Sequence, residues 1–594
     1  MGGQTLTEIV QTILDKDGRL KPGFCGIGRL RGKTGDDYKE DEITVLEYFF
    51  TNTHSNIYCA TDNMPNELWA LVMGQYARSN LTGRDRLLQL LHDMHEKEKQ
   101  ASVAKLAEMI RSGEDVSAML SGHLRKAGKF IDTWGVKYGH ASLRDSGTIR
   151  ICFEGVSQRA TKFLEAAREG AYQEQSTRAL PFTAENLGVP YEVRGTRYEK
   201  ILLDLDRRLI ELYERAYDKL LDHLNNKFAH KRAEADAQIQ KALGRTDLRM
   251  RDRGWEGIIK SKAFDVARYL LPQNMTTSLG ITLNTRRFQD MLTAWQSEEI
   301  MEMQVLGAAA QAEARKISPE LMKYGNRSEY HANIPPTLRA LHRKFVEAEG
   351  AGKDFRYQHY DCVSTLVHAP PDLQDLVLAS ILLNGGDGRA GIEELKKVVQ
   401  KLRFEEKREI ARAAAEGKSR HDIFNKAPEI AAVVFERVYD IGAYRDLQRQ
   451  RGDRQQTNRY SVIGYNMPKE IEEIGMKPEF VAMMHEVKEV YDLFKKEGMH
   501  AAAEYVPVMA NVLRHVATKE PVQCFYEAGL RTQPAGIDSY RSIAQQEIRK
   551  LLELMPVFQG LVPFDDEYYD LGRLPETIRM EIDYFKEQIK KGKI

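Results

Sequence analysis

The feature that most limits this chain is a weak internal repeat, because a repeated order of landmarks fixes the number and kind of folding units before any single element is assigned. SNIYCATDNMPNELWALVMGQYARSN (55–80) and YDCVSTLVHAPPDLQDLVLASILLNG (360–385) each run from an extended apolar stretch into a helix opened by proline, with Pro65 and Pro371 near the first helical position. Downstream in both copies a β-like run and a helix lead to a polar segment ending in Ser-x-Arg or Thr-x-Arg, QEQSTRAL (173–180) and RQQTNRYSV (454–462). DVARYLLP (265–272) then answers AAAEYVP (501–507), and AQAEARKI (310–317) answers AQQEIRKL (544–551). Landmarks matched in one order argue for duplication. The expected division is a leader (1–54), a first unit (55–340), a linker (341–354) running into the charged, glycine-containing EAEGAGKDF (347–355), and a second unit (355–594).

Within the units the dominant period is helical. Leu202, Leu205, Leu209, Leu212, Ala216 and Leu220 fall on one face, and 91–119 and 395–416 are charged, alanine-rich and helical in pattern. TIRICFEG (148–155) and AAVVFERV (431–438) read as strands between helices. The class expected is α+β, helix-rich, with a central antiparallel or mixed sheet in each of two tandem units.

Lys plus Arg equals Asp plus Glu at 87 each, so no net field draws the chain to nucleic acid or to an anionic membrane. Any anionic ligand must then be held by local arginines. Cys25, Cys59, Cys152, Cys362 and Cys524 stand singly, which points to neither a zinc site nor a disulfide framework. No apolar run approaches the roughly 18 residues of a membrane span, and the opening MGGQTLTEIVQTILDK lacks the apolar core of a signal peptide, so the expected compartment is the cytoplasm. The glycine-rich, basic GRLKPGFCGIGRLRGKTG of the leader lacks the strand-then-helix context of a phosphate loop and reads as a plain loop.

The chemistry concentrates in GHASLRDSGTIRICFEGVSQRATKFLEAAREGAYQEQSTRAL (139–180). Glu174, Ser176 and Arg178 put an acceptor, a hydroxyl and a guanidinium within five residues, the groups needed to hold a small phosphorylated ligand. Taken alone, that spacing reads more readily as a surface turn with an Arg-Glu ion pair. Its companions change the balance. His140, Ser142 and Asp145, then Phe153 to Ser157, then Arg168, Gln173, Glu174, Ser176 and Arg178 follow without a gap, and the whole resembles the signature of the flavin-dependent thymidylate synthases, the ThyX family. Further on, DVARYLLPQNMTTSLGITLNTRRFQDMLTAW (265–295) resembles a later signature of that family. The resemblance implies a nucleotide-side role for Arg268 and flavin-side roles for Asn284 and Arg286, as it does for His140, Ser142, Asp145 and Arg168.

Departures from the family pattern are equally specific. Ala166 and Ala167 replace an Arg-His pair, Ala179 a tyrosine, and Trp295 the arginine that polarises the uracil ring, so the first unit cannot be a complete site. The second unit, through RVYDIGAYRDLQRQRGDRQQTNRYSV (437–462), keeps Arg449 and Arg451 around Gln450 and ends in Arg459-Tyr460. It reads as two residues short, with Gln455 at the acidic position, and Arg531 in YEAGLRTQPAGIDSYRSIAQQEIRKL (526–551) matches the activating arginine. The halves look complementary, as if two specialised copies built one composite site. The resemblance implies methylation of dUMP to dTMP with FAD, NADPH and methylenetetrahydrofolate, Arg531 acting on the ring, Glu174, Ser176, Arg178, Arg268 and Arg459 on the nucleotide, and Arg449 and Arg451 on the flavin. It also implies a homodimer imitating the family tetramer. Another uracil nucleotide as substrate, or a non-catalytic flavin- or nucleotide-binding protein, are the alternatives these departures raise.

Overall fold

A computed structural model describes residues 21–22, 33–55, 58, 60–76, 81–98, 103–117, 119–120, 145–178, 181–322, 324–418, 422, 424 and 427–594. His140 and Ser142, Ala179 and most of the leader's basic loop lie outside the described residues. The chain is helix-rich α+β, and both of its sheets are antiparallel. No helix among the described residues is long and apolar enough to cross a membrane.

The first sheet has the order β1-β3-β2, from β1 (Thr148–Ser157), β2 (Ala171–Glu174) and β3 (Thr276–Asn284). The second has the order β4-β5-β7-β6, from β4 (Val363–His368), β5 (Val433–Asp440), β6 (Arg454–Thr457) and β7 (Val512–Lys519). In both, a long strand runs directly into a one-turn-plus helix, Gln158–Leu164 after β1 and Ile441–Leu447 after β5. The junctions are capped alike: Ser157 Oγ accepts from Ala160 N at 2.9 Å, and Asp440 Oδ1 from Ala443 N at 2.7 Å. Each cap satisfies a backbone donor that the strand-to-helix step would otherwise orphan.

The leucine face expected in 201–221 is buried along the helix Arg197–Lys227. It packs against the helices Asp252–Ala267 and Lys477–Lys496, in a core drawn from both halves of the chain. Each fully buried leucine contributes about 2 kcal/mol, so this core is what keeps the halves together. The stretch expected as helical over 395–416 breaks at 401–403 into Ile392–Gln400 and Phe404–Ala415, where Arg403 opens the second helix with Glu406 closing back on its amide.

At the centre the two halves cross. Pro272 and Val508 form an antiparallel bridge, flanked by Met509 N to Leu271 O at 3.0 Å, Ala510 N to Tyr269 O at 2.9 Å and Gln273 N to Pro507 O at 3.1 Å. The strand-to-helix steps are tied to this crossing in matching fashion: Gln158 N to Met275 O at 2.8 Å and Arg159 N to Gln273 O at 2.9 Å in one half, Ile441 N to Asn511 O at 2.9 Å and Gly442 N to Met509 O at 3.1 Å in the other.

Candidate functional site

The ladders fix which residues of the two halves correspond. Ser157 pairs with Thr276 and Glu174 with Leu279, three residues further on; Asp440 pairs with Val512 and Thr457 with His515, again three further. Glu174 and Thr457 therefore stand on the same rung. This corrects the expectation that the second half is two residues short: Thr457, not Gln455, occupies the place of Glu174, and Arg459 occupies that of Ser176. The pattern in the sequence misled because Ser-x-Arg and Thr-x-Arg are short enough to slide by two, and a two-residue slip keeps side chains on the same face of a strand. By the same count Trp295 and Arg531 correspond, each nineteen residues beyond Thr276 and Val512.

Four of the arginines singled out by sequence converge on one acid. Arg268 Nη2 lies 3.5 Å from Asp446 Oδ2, reaching across from the first half to the helix Ile441–Leu447 of the second, and also donates to Gly442 O at 3.3 Å, while Nη1 donates to Thr177 Oγ1 at 3.4 Å. Burial pushes the Asp446 carboxyl up, but the guanidiniums of Arg268, Arg178, Arg531 and Arg449 together hold it below the usual carboxylate range. Arg178 grips Asp265 at two points, 2.6 and 2.8 Å, and donates to Ala535 O at 3.0 Å. Although its burial opposes the charge, the Asp265 carboxylate raises Arg178 further above the ordinary guanidinium value. Arg531 has its ring partner in Tyr540, 5.6 Å from the guanidinium carbon, and its Nε and Nη2 lie 2.8 Å from the Gln450 amide oxygen in the amide orientation that satisfies both groups.

Glu174 closes the other side of the cluster. Its carboxylate accepts from Arg445 at 2.6 Å and lies 3.6 Å from Lys162. Burial alone would raise it, yet Arg445, Lys162 and Arg449 bring it down to about 2, so it is ionised at any physiological pH. Lys162 also binds Glu165 at 2.7 Å, and Arg449 lies 3.6 Å from the same Glu165. The linked set thus holds six cations (Lys162, Arg178, Arg268, Arg445, Arg449, Arg531) against four carboxylates (Glu165, Glu174, Asp265, Asp446), an excess of two positive charges. A phosphate monoester carries close to two negative charges at neutral pH. Arg268 Nε and Arg445 Nε are buried donors without a partner, as a site built for an anion would leave them. Ser176 and Arg451 are exposed and Arg449 is one-third exposed, so the cluster opens to solvent on that side.

Not every residue singled out by sequence comes to this place. Asn284 spends its side-chain oxygen capping the helix Thr285–Gln296, accepting from Arg287 N at 2.7 Å, and Arg286 pairs with Asp145 at 3.2 Å. Asp145, Asn284 and Arg286 thus form their own group at the far end of β3. Asn284 lies five residues past the rung of Glu174, about 17 Å along an extended strand. Arg459 does not face Arg178: it binds Glu298 at 2.5 Å and Glu504 at 3.1 Å, in the cleft that corresponds to the arginine cluster in the other half. Arg168 lines that same cleft, away from Arg449 and Arg451. The reason is the fold: Arg459 lies two residues past the last rung of its strand, as Ser176 does in the other sheet, and so belongs to the other cleft.

Several members of the cluster were not singled out from sequence. Asp446 and Arg445 sit on a short helix whose signal was only the Asp440 cap, and Arg449 follows in the turn just past its end. Asp265, three before Arg268, had no signal beyond its place in the same helical turn. Lys162 is buried at 3% exposure, which its charge would not have foretold.

Residues 89–323 match the family model of the thymidylate synthase complementing protein. A UPF0159 protein of Chlamydia muridarum is 26% identical over 560 residues, covering 91% of this chain and 98% of that protein. A UPF0159 protein of Thermoplasma acidophilum is 22% identical over 480 residues, with 78% and 93% covered. The flavin-dependent thymidylate synthase of Clostridium tetani is 25% identical over 237 residues, 40% of this chain and 84% of its own length. Among solved structures, the UMP/dUMP methylase PolB of Streptomyces cacaoi bound with 5-Br dUMP aligns over 34% of this chain and 96% of its own, at 17% identity and a TM-score of 0.28.

Proposed function

We propose that this chain, which resembles the flavin-dependent thymidylate synthases over residues 89–323, binds a uracil nucleotide in the arginine cluster between its halves and methylates it in a flavin-dependent reaction, dUMP to dTMP. The observation that carries this reading is the gathering of Arg178 and Arg268 from one half with Arg449 and Arg531 from the other around the half-buried carboxylate of Asp446, which Arg268 meets at 3.5 Å. The two halves act in it as specialised copies of one unit, each supplying what the other has lost. Trp295 stands in the first half where Arg531 stands in the second, and Glu504 in the second where Arg268 stands in the first.

The chain's own tasks are binding and charge placement. Arg178 and Ser176 hold the phosphate once Asp265 yields part of its grip, and the net excess of two positive charges balances the dianion. Arg531, oriented by Gln450, lies against the pyrimidine and stabilises negative charge developing on the ring, a contribution of about 3 kcal/mol by analogy with single oxyanion donors. Arg449 and Arg451, at the open side, offer two guanidiniums to the pyrophosphate of a flavin. When bound, FAD would bring the hydride, methylenetetrahydrofolate the carbon and NADPH the reducing equivalents. The reading gives no role to a cysteine: the described thiols of Cys362 and Cys524 are buried, and burial pushes the Cys524 thiol up to about 12.

The test is NADPH oxidation by the purified protein supplied with FAD, with and without dUMP, and with UMP in its place. Acceleration by dUMP supports the reading, and equal acceleration by UMP moves the substrate to uracil nucleotides at large. A flavin-free protein indifferent to both would sink it. A second reading, nucleotide binding without turnover, is favoured by one observation: Arg178 and Arg268 are already engaged by Asp265 and Asp446. An assembly of two chains imitating the family tetramer belongs to the same proposal, and sedimentation at working concentration tests it.

A further inference from the structure

The cleft that corresponds to the arginine cluster in the other half has a volume of about 430 Å3, within the range of small-molecule sites. Its walls come from both halves and carry Arg159, Lys162, Arg168, Arg287 and Arg459 with a single lining carboxylate, Glu298. Some of these cations are engaged: Arg159 and Arg459 share Glu504 at 2.6 and 3.1 Å, and Arg459 also binds Glu298. Lys162 is held by Glu165, and Arg287 by the exposed carboxylates Glu169 at 3.2 Å and Asp290 at 3.6 Å, while Arg168 has no ion pair among the described residues.

Two polar groups in the cleft are buried and unpartnered. The Tyr460 hydroxyl, on a side chain 2% exposed, makes no hydrogen bond, and neither does Gln448 Oε1, 7% exposed, whose amide nitrogen is fixed by Lys162 O at 2.7 Å. An orphaned buried carbonyl oxygen is destabilising, and a ligand N–H that meets it removes that cost. Aromatic faces complete the lining, with the Phe163 and Tyr460 rings 4.2 and 4.1 Å from the Arg159 guanidinium. The residues that would do chemistry are gone. Thr457 stands for Glu174, Glu504 for Arg268 and Trp295 for Arg531, and Trp295 is sealed in the core with its indole N–H on Phe163 O at 3.1 Å.

We propose that this second cleft is a non-catalytic site for a nucleoside monophosphate, its phosphate held by Arg168 and Arg287 and a ring N–H received by Gln448. The choice of ligand class rests on the reading of the first site, because the two clefts are copies of one scaffold. The chain thereby becomes a two-site protein in which one copy of an ancestral site turns substrate over and the other senses the same class of compound. The helix Ile441–Leu447 and the residues just after it couple them, since Gln448 faces the second cleft while Asp446 and Arg449 belong to the first cluster.

Equilibrium dialysis of radiolabelled dUMP against the full-length protein tests this directly, run beside the NADPH oxidation assay. Wild type is expected to show two classes of site per chain. Arg287→Ala should weaken one class roughly tenfold, the loss of one charge-assisted phosphate contact, and leave the other unmoved. Tyr460→Phe should shift that same class and no other, whereas Arg178→Ala should shift only the remaining one. Isotherms of Arg287→Ala and Tyr460→Phe that superimpose on wild type overturn the second site; should Arg287→Ala fail to fold by circular dichroism, Tyr460→Phe decides alone. NADPH oxidation indifferent to dUMP, alongside an Arg287→Ala defect in binding, would remove the proposed reaction and leave the second site standing.

Discussion

Gln450 seats Arg531: its amide oxygen meets both Nε and Nη2 of the guanidinium at 2.8 Å, and Gln450 is 4% exposed, so the pair is fixed by the surrounding core. A neutral amide at this place orients the arginine without discharging it, which a carboxylate would do. Arg531→Ala should lower dUMP-dependent turnover by about 10²–10³-fold, the cost of one lost donor to a developing oxyanion. Gln450→Ala should lower kcat by a smaller factor with little change in KM for dUMP, because orientation and not binding is lost. Steady-state kinetics of the two variants check this, and a rise in KM alone for both would place Arg531 in ground-state binding.

Asp265 competes with any phosphate for Arg178. The two-point contact at 2.6 and 2.8 Å is the geometry a phosphate would use. Asp265→Asn keeps the shape and removes the charge, and dUMP affinity measured by calorimetry should rise about tenfold. Arg178→Ala should lower it by a similar factor. No change in either variant would show that the phosphate sits elsewhere.

The second sheet is held by a buried ionic knot. Arg437, fully buried, meets Glu547 at 2.7 Å, Asp453 at 3.0 Å and Glu527 at 3.4 Å, while Lys519 meets Glu527 at 2.6 Å and Glu547 at 2.5 Å. Two cations face three carboxylates, and burial, only partly offset by Arg437, pushes Asp453 up to about 6. Removing one cation leaves charges buried and unpaired, so Arg437→Met should cost about 3–5 kcal/mol in urea-unfolding experiments. A loss under 1 kcal/mol would mean water enters the knot.

Asp206, fully buried on the helix Arg197–Lys227, is pushed up to about 7 by burial, against the opposing pull of the Asn274 amide at 2.6 Å. The folded state therefore binds this proton more tightly than the unfolded chain, whose value is near 3.8. Between those two values the folded form carries the extra proton, so this residue's contribution to stability is full below about 3.8 and declines as pH rises to about 7. Asp206→Asn should flatten that part of the stability-pH curve and raise stability at pH 8, because Asn keeps an acceptor for Asn274 without the charge. Thermal melts across pH 4–8 measure it, and parallel curves for the two proteins would contradict the assignment.

Much of this architecture was legible in the order of residues. The leucine spacing of 202–220 named a buried helix face, and the β-branched runs 148–155 and 431–438 named strands. These are local signals, since periodicity and caps depend on neighbours within a few turns. The residue types that gather at the arginine cluster were also legible, because Arg178, Arg268, Arg449 and Arg531 stood out against their surroundings.

What those arginines would face was decided by tertiary structure. Asp446 and Asp265 carry no mark in the chain that separates them from other surface acids, yet packing brings each beside a guanidinium. That Glu174 meets Leu279 in one sheet and Thr457 meets His515 in the other is a matter of ladder register, which a short polar strand specifies weakly on its own. Sequence alone determined a helix-rich α+β class, with a buried leucine face and strands set between helices. The crossing of 269–275 with 505–511 determined which arginines share a site, because contacts between segments so distant in the chain exist only once both cores have formed around them.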